Sequence, residues 1–214
     1  MALVLGTNCG FVTEAPTGAT TAGNKVIVDG KSAAIKHTSP VGAVKVIEIG
    51  WYANDATQEA NFEVGIYADN EGNPGAVVGS LSQTNAKGTT TGWKRVTGLN
   101  IDITEETDYW LAVQLDETST DTNTGFELWG GVGFRRKNTQ TTLPSPWGSS
   151  DTSSDNYRAS IYALVESTST GTNCQVNIDD TWKEVPAMKV NIGDTWKEVA
   201  AVKTNIGDSW KEVF

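Results

Sequence analysis

One histidine, two cysteines, two methionines and six prolines in 214 residues leave few of the usual starting points for site chemistry. A histidine-based triad would have to use His37, which lies in the polar run Lys36, Thr38, Ser39, and the chain carries no G-x-S-x-G nucleophile motif. His37 is therefore expected at the surface. The cysteines, Cys9 and Cys174, stand far apart and with a single histidine match no zinc spacing, so neither a metal nor a cofactor is expected. Basic residues are also scarce: 16 Lys and Arg face 26 Asp and Glu, a net charge of −10. Acids outnumber bases on both sides of residue 170, and a chain with that field does not attract nucleic acid through its general charge. No apolar run approaches the roughly 18 residues of a membrane span. Ala2 to Leu5 is too short, and lacks the positive flank, for a signal segment. The expectation is synthesis in the cytoplasm without a signal peptide and without membrane insertion. Long Leu/Glu/Lys stretches and a 3.6-residue apolar period are missing too, which argues against helices.

What the chain does have is a repeat. Val176 to Lys189 reads VNIDDTWKEVPAMK, Val190 to Lys203 reads VNIGDTWKEVAAVK, and Thr204 to Phe214 reads TNIGDSWKEVF. Trp182, Trp196 and Trp210 mark the period of 14 residues. Each unit joins a short β-branched run to a Thr/Ser-Trp-Lys-Glu-Val run through a two-residue Asp-Asp or Gly-Asp turn, the pattern of a small β-hairpin. A two-residue turn would set Ile192 opposite Thr195 and Asn191 opposite Trp196; a four-residue turn would shift this register. A lone hairpin is marginal in water, so each unit needs a neighbour, the preceding domain or a sister chain to cover it.

Ahead of the repeats, strand-like runs alternate with turn signals: Lys25 to Val28, Ala33 to Ile35, Ala43 to Tyr52, Asn61 to Tyr67, Ala76 to Leu81, Trp93 to Val96, Tyr109 to Leu115, Gly125 to Trp129 and Arg158 to Val165. Many short strands without helices predict two packed antiparallel sheets. Phe62, Val64 and Ile66 alternate cleanly with Asn61, Glu63 and Gly65, and Tyr109 to Leu115 nearly so; these are the expected central strands. Within Ala43 to Trp51 the apolar parity switches midway, which predicts a bulge or a strand buried on both sides. Asp69 to Gly75 is a turn by composition. The organisation that follows is a β-sandwich over 1–170 and three hairpin units over 171–214, the last truncated. Cys9 and Cys174 share the tetrapeptide Gly-Thr-Asn-Cys and bracket the first domain. Both a clamping disulfide and two reduced thiols are open, and the reduced pair is favoured for a cytosolic product.

The succession FEVGIYADNEGNPGAVVGS, GWKRVTGLNIDIT, DYWLAVQL resembles the jelly-roll-type sandwich modules of secreted, surface and phage proteins, from about Val44 to Leu115. The terminal units resemble the VKVGGVWKEV repeats that end many phage and prophage tail-associated proteins, with Asn and Asp where those carry Lys and Gly. The resemblance implies an antiparallel jelly-roll-like sandwich in a non-enzymatic virion component. Its Trp182, Trp196 and Trp210 repeats would assemble a homo-oligomer, most simply a trimer, or attach it. The alternative is a monomeric carbohydrate-binding module or cell-surface adhesin.

For a ligand, the informative region is Phe126 to Tyr157. Trp129 precedes a Gly-Gly pair and the cationic cluster Arg135, Arg136, Lys137, and Trp147 follows Pro144 and Pro146. Tryptophan faces beside arginines suit a surface glycan, through ring stacking and charge-assisted hydrogen bonds. Against this stands a core Trp129 with the arginines guarding a solvated strand edge. Two oxygen-rich loops, Asp116, Glu117, Asp121, Asn123 and Asp69, Asn70, Glu71, Asn73, lack the EF-hand spacing and read as solvated turns.

Overall fold

A computed structural model of the chain describes residues 2–19, 24–54, 57–119, 122–128, 133–167, 174–178, 181–185, 189–192, 195–198, 203–206 and 209–212. These residues contain no helix and are 58% strand, with a curled sheet. The chain divides into two compact units, Met1–Thr168 and Ser169–Phe214.

The first unit holds β1 (Gly10–Val12), β2 (Asn24–Ile27), β3 (Lys31–Thr38), β4 (Ala43–Ala53), β5 (Asn61–Asn70), β6 (Asn73–Val78), β7 (Asn85–Ala86), β8 (Gly92–Asp102), β9 (Asp108–Leu115), β10 (Asn123–Leu128), β11 (Phe134–Asn138), β12 (Thr152–Ser154), β13 (Tyr157–Ala159) and β14 (Ile161–Ser167). A first sheet runs β1-β14-β4-β8 and a second β12-β11-β3-β9-β5-β6, with β7 added to β5 and a short third sheet β13-β10-β2. The pairings are antiparallel except β1 with β14, which is parallel. The strands expected from composition are present. β1, β7, β11 and β12 are additional to those expected, and β6 spans Asn73–Val78 where Ala76 to Leu81 was expected.

Residues of one parity from both large sheets close a single core. Phe11, Ile49, Trp51, Ile161 and Ala163 come from the first sheet, and Ile35, Phe62, Val64, Leu111 and Val113 from the second. Trp51 meets Phe62 edge-on, with centroids 5.9 Å apart, across that core. The parity switch foreseen in β4 is a register shift between Val46 and Glu48 against β8, matched by another between Leu164 and Val165 of β14. The turn at Asp69 is a two-residue loop: Asn70 pairs with Asn73, Glu71 and Gly72 take positive φ (52° and 81°), and Asp69 Oδ2 accepts the Gly72 N–H at 3.1 Å.

The second sheet is covered on its outer face as well. Tyr109 to Leu115 are all buried: Tyr109, Leu111, Val113 and Leu115 face the main core, while Trp110 and Ala112 join Ala34, Tyr67, Leu143 and Trp147 in a second apolar cluster. The cover is the segment 139–151. Its Leu143 N–H donates to Glu63 Oε2 (2.7 Å), its Pro144 carbonyl accepts from Tyr67 Oη (2.6 Å), and its Trp147 N–H donates to the Gly75 carbonyl (3.1 Å). Room for it comes from a cross-strand row of small residues, Ala34 opposite Ala112 opposite Gly65. A Cβ at Gly65 would stand 2.4 Å from Leu81 Cδ2 and 3.3 Å from Leu143 Cδ1.

The second unit holds β15 (Cys174–Ile178), β16 (Thr181–Val185), β17 (Lys189–Ile192), β18 (Thr195–Glu198), β19 (Lys203–Ile206) and β20 (Ser209–Glu212). They pair as three two-stranded antiparallel ladders, β15-β16, β17-β18 and β19-β20. Asn191 stands opposite Trp196 and Ile192 opposite Thr195, the register of a two-residue connection, and the ladders at Trp182 and Trp210 have the same register.

Candidate functional site

Of the sequence-predicted ligand residues, Arg135 and Trp147 fall on the outer side of the second sheet, where their polar groups are already engaged, while Arg136 follows the opposite parity. Arg135 and Arg136 are not in a loop: they lie in β11, paired with β3 on one side and β12 on the other. Arg135 is buried and its guanidinium sits 5.0 Å over the Trp110 ring. Its Nε donates to Asn73 Oδ1 (2.9 Å), Nη2 to the Gly72 carbonyl (2.6 Å), and Nη1 to the Phe134 and Ser154 carbonyls and Asp155 Oδ1 (3.0, 3.1 and 3.0 Å). A guanidinium so occupied clamps the β5–β6 turn to β11 and β12. Arg136 is half-buried and donates to Thr152 Oγ1 at 3.3 Å.

Trp147 is 0% exposed, edge-on to Tyr67 at 5.2 Å, with its Nε1–H donated to Ser150 Oγ at 2.9 Å. Its indole is the plug of the outer apolar cluster, with no ring face turned to solvent. Arg135 and Trp147 thus share one side of the sheet as packing groups. Trp129 lies outside the described residues, and of Trp182, Trp196 and Trp210 the backbone pairing is described.

Beside Arg135 a cleft of about 280 Å³ is lined by Lys36, Glu71, Gly72, Trp110, Gly133 and Asp155. Its Lys36 and Arg135 are matched by neighbouring carboxylates. Lys36 Nζ lies 2.8 Å from Asp108 Oδ2 and 3.5 Å from Asp69 Oδ1, and Asp69 Oδ1 also accepts the Trp110 Nε1–H at 2.7 Å. The hydrogen bond with Asp108 raises the Lys36 pKa, while the bonds from Lys36 and Thr38 lower that of Asp108. Asp69 therefore serves the turn and the Trp110 indole. Asp116 Oδ1 accepts from Gln114 at 3.1 Å, and Asp121 lies outside the described residues. Among the described residues no group of three or more His, Cys, Asp and Glu is placed to hold a metal ion.

The outer side of the first sheet carries a cluster that sequence reasoning missed. β4 supplies Glu48, Gly50 and Tyr52, β8 supplies Trp93 and Arg95, and β14 supplies Tyr162, brought together by the pairs Tyr52–Trp93, Gly50–Arg95 and Gly50–Tyr162. Tyr52, Trp93 and Tyr162 form two edge-on contacts, at 5.3 and 5.1 Å. The Tyr162 ring lies over Gly50, where a Cβ would come within 2.5 Å of its Cε1. Glu48, 8% exposed, accepts the Tyr162 phenol hydrogen bond and has Arg95 Nη1 at 3.8 Å. Burial first, and then the Glu48 carboxylate, push the Tyr162 phenol well above its ordinary pKa. Across this cluster lies the segment Thr13–Gly18: Trp93 Nε1–H donates to the Gly18 carbonyl at 2.9 Å and Arg95 Nη2 to the Pro16 carbonyl. That Trp93 and Arg95 share a strand was expected from the sequence. Their meeting with Tyr162, far along the chain, was not.

His37 corrects the expectation of a surface residue. It is half-buried, its Nδ1 accepts the Phe11 N–H at 2.9 Å, and its ring stacks on Phe11 at 5.9 Å. Burial lowers its pKa, partly opposed by Asp108, so the neutral acceptor form is favoured. Cys9 is a free, fully buried thiol whose pKa is pushed up to about 12, mainly by burial.

Comparison with protein-family models, curated proteins and solved structures finds no match to this chain.

Proposed function

We propose that the chain is a non-enzymatic structural and adhesive component of a phage or phage-like particle. In this reading a jelly-roll-like sandwich is carried by C-terminal repeats that assemble the molecule, most simply as a homotrimer. The observation that carries it is the second unit: three near-identical sequences, each paired as its own two-stranded ladder. A ladder of that size is marginal alone. Composition adds a second reason: each unit carries a tryptophan together with Ile and Val, apolar groups that need cover. Sister chains carrying the same units supply that cover with the same chemistry each time. The resemblance of these units to repeats that end phage tail-associated proteins gives the particle its class, and a virion location follows from it.

Size-exclusion chromatography with light scattering on the full chain tests this. The expected mass is three times the 22.8 kDa of one chain, falling toward one chain when Trp182, Trp196 and Trp210 are all replaced by Ser. A full-length protein that is monomeric across the accessible concentration range sinks the assembly reading.

A further inference from the structure

The aromatic cluster on the outer face of the first sheet is covered by a segment of the molecule's own chain, Thr13–Gly18. Trp93 and Arg95 stand two residues apart on one face of β8, and the carbonyls they take, Gly18 and Pro16, are also two residues apart. Side chains at i and i+2 of a strand are separated by about 6.6 Å, as are successive same-side carbonyls of an extended segment. The pairs 93 with 18 and 95 with 16 therefore form a two-rung ladder, with the segment running antiparallel to β8. Both donors are fixed from behind: the Trp93 ring by Tyr52 and Tyr162, and the Arg95 guanidinium by Glu48 and by the Tyr162 ring 6.0 Å away.

Pro16 is buried at this contact. A proline in an extended segment against aromatic rings, with an indole N–H reading a nearby carbonyl, is the chemistry by which aromatic-lined grooves take proline-containing peptides. The segment also lines, with Gly6, Thr7 and Asn8, a cleft of about 350 Å³. The segment thus has specific contacts to β8 and free volume beside it.

We propose that Trp93 and Arg95, on the Tyr52–Tyr162 platform, form a docking site for an extended, proline-containing peptide segment of a partner protein. The Thr13–Gly18 strap holds this site closed by occupying it. The partner must present two carbonyls two residues apart, and it gains access when the strap moves into the adjacent cleft. Tyr52 and Tyr162 are buried and pack edge-on to Trp93, so neither tyrosine offers a flat face to a sugar, and the two contacts to backbone carbonyls favour peptide as the ligand class.

The test uses the full chain with residues 14–18 replaced by a Gly/Ser stretch of equal length, and a synthetic peptide of sequence TEAPTGA as the probe. The readout is the ¹⁵N resonance of the Trp93 indole, assigned by Trp93→Phe. Millimolar peptide, about the effective concentration of a short tether, is expected to return the resonance of the strap-replaced chain to its position in the unaltered protein. Arg95→Gln should weaken this titration by about tenfold or more, as loss of a charged donor implies. A folded strap-replaced chain whose indole signal ignores the peptide overturns the proposal. If that variant does not fold, hydrogen exchange of the Trp93 indole N–H in the unaltered chain decides. Exchange through local opening, with weak denaturant dependence, supports a strap that moves; exchange through global unfolding alone overturns it.

Discussion

Replacing Trp147 by alanine separates a packing tryptophan from a ligand-binding one. In the structure the indole is fully enclosed, edge-on to Tyr67, and its N–H is satisfied by Ser150. A buried tryptophan removes about 200 Å² from water, which at about 25 cal/mol per Å² is about 5 kcal/mol of transfer free energy. A denatured chain that already hides some of that surface reduces the figure by about a quarter. The edge-on contact with Tyr67 adds about 1 kcal/mol. Partial collapse of the 139–151 cover onto the Ala34–Ala112–Gly65 row recovers some of the loss. The expected net cost is about 3–5 kcal/mol. For a unit of this size, with about 3 °C per kcal/mol, the melting temperature should fall by about 10 °C. Urea and thermal unfolding followed by near-ultraviolet circular dichroism report both quantities. Trp147→Phe, which keeps the ring against Tyr67 and removes the N–H bond to Ser150, should cost about 1 kcal/mol. A loss below about 1 kcal/mol for Trp147→Ala would refute the reasoning. It would mean that in solution the cover is detached and the indole free, as a ligand platform requires.

Three further outcomes follow from other parts of the molecule. Gly50→Ala drives a Cβ to 2.5 Å from Tyr162 Cε1 in a ring held by Trp93 and Glu48, so a loss of about 1–3 kcal/mol in urea unfolding is expected, and an unchanged midpoint would contradict the packing. Because the folded pKa of His37 lies below its ordinary 6.5, the unfolded chain binds the extra proton first. The contribution of His37 is therefore complete above about pH 6.5 and lost as pH falls from there toward the folded value. Unfolding midpoints at pH 7.5 and 5.5 should drop more in the unaltered chain than in His37→Gln, and equal drops would rule this out. Cys9, buried with its pKa pushed up to about 12, should resist iodoacetamide at pH 8 in the folded protein and react once unfolded, read by peptide mass mapping. Rapid labelling in the folded state would show that its enclosure is not maintained.

The strands that were legible in the sequence are those whose burial differs along the chain in a simple pattern. The two-residue period of β5, the polar turn at Asp69 and the parity switch at Val46 are local signals, and each is written in a few consecutive residues. The cover over the second sheet was not legible, because residues 139–151 have the Ser, Thr and Pro composition of an exposed loop. What buries Trp147 is the Ala34–Ala112–Gly65 row, assembled from three strands far apart in sequence. Arg135 misled for the same reason: a cationic cluster reads as solvated until the Gly72, Asn73 and Ser154 partners arrive from other elements. The Tyr52–Trp93–Tyr162 cluster was missed because its three aromatics come from strands paired only after folding.

The small-residue row also changes what holds β9 in place. In a sheet with one wet face, a strand that slips by one residue is rejected because apolar groups reach water. β9 has no wet face along Tyr109–Leu115, and apart from the buried, hydrogen-bonded Gln114 polarity offers little resistance to slipping. Volume does. Moving Trp110 by two positions would drive its indole into the trough where Ala112 now lies between Ala34 and Gly65, under Leu143 and Trp147. The middle layer is keyed by size, like a lock whose wards differ in height, and an Ala112→Leu change would jam that key without altering the hydrophobicity pattern of the strand.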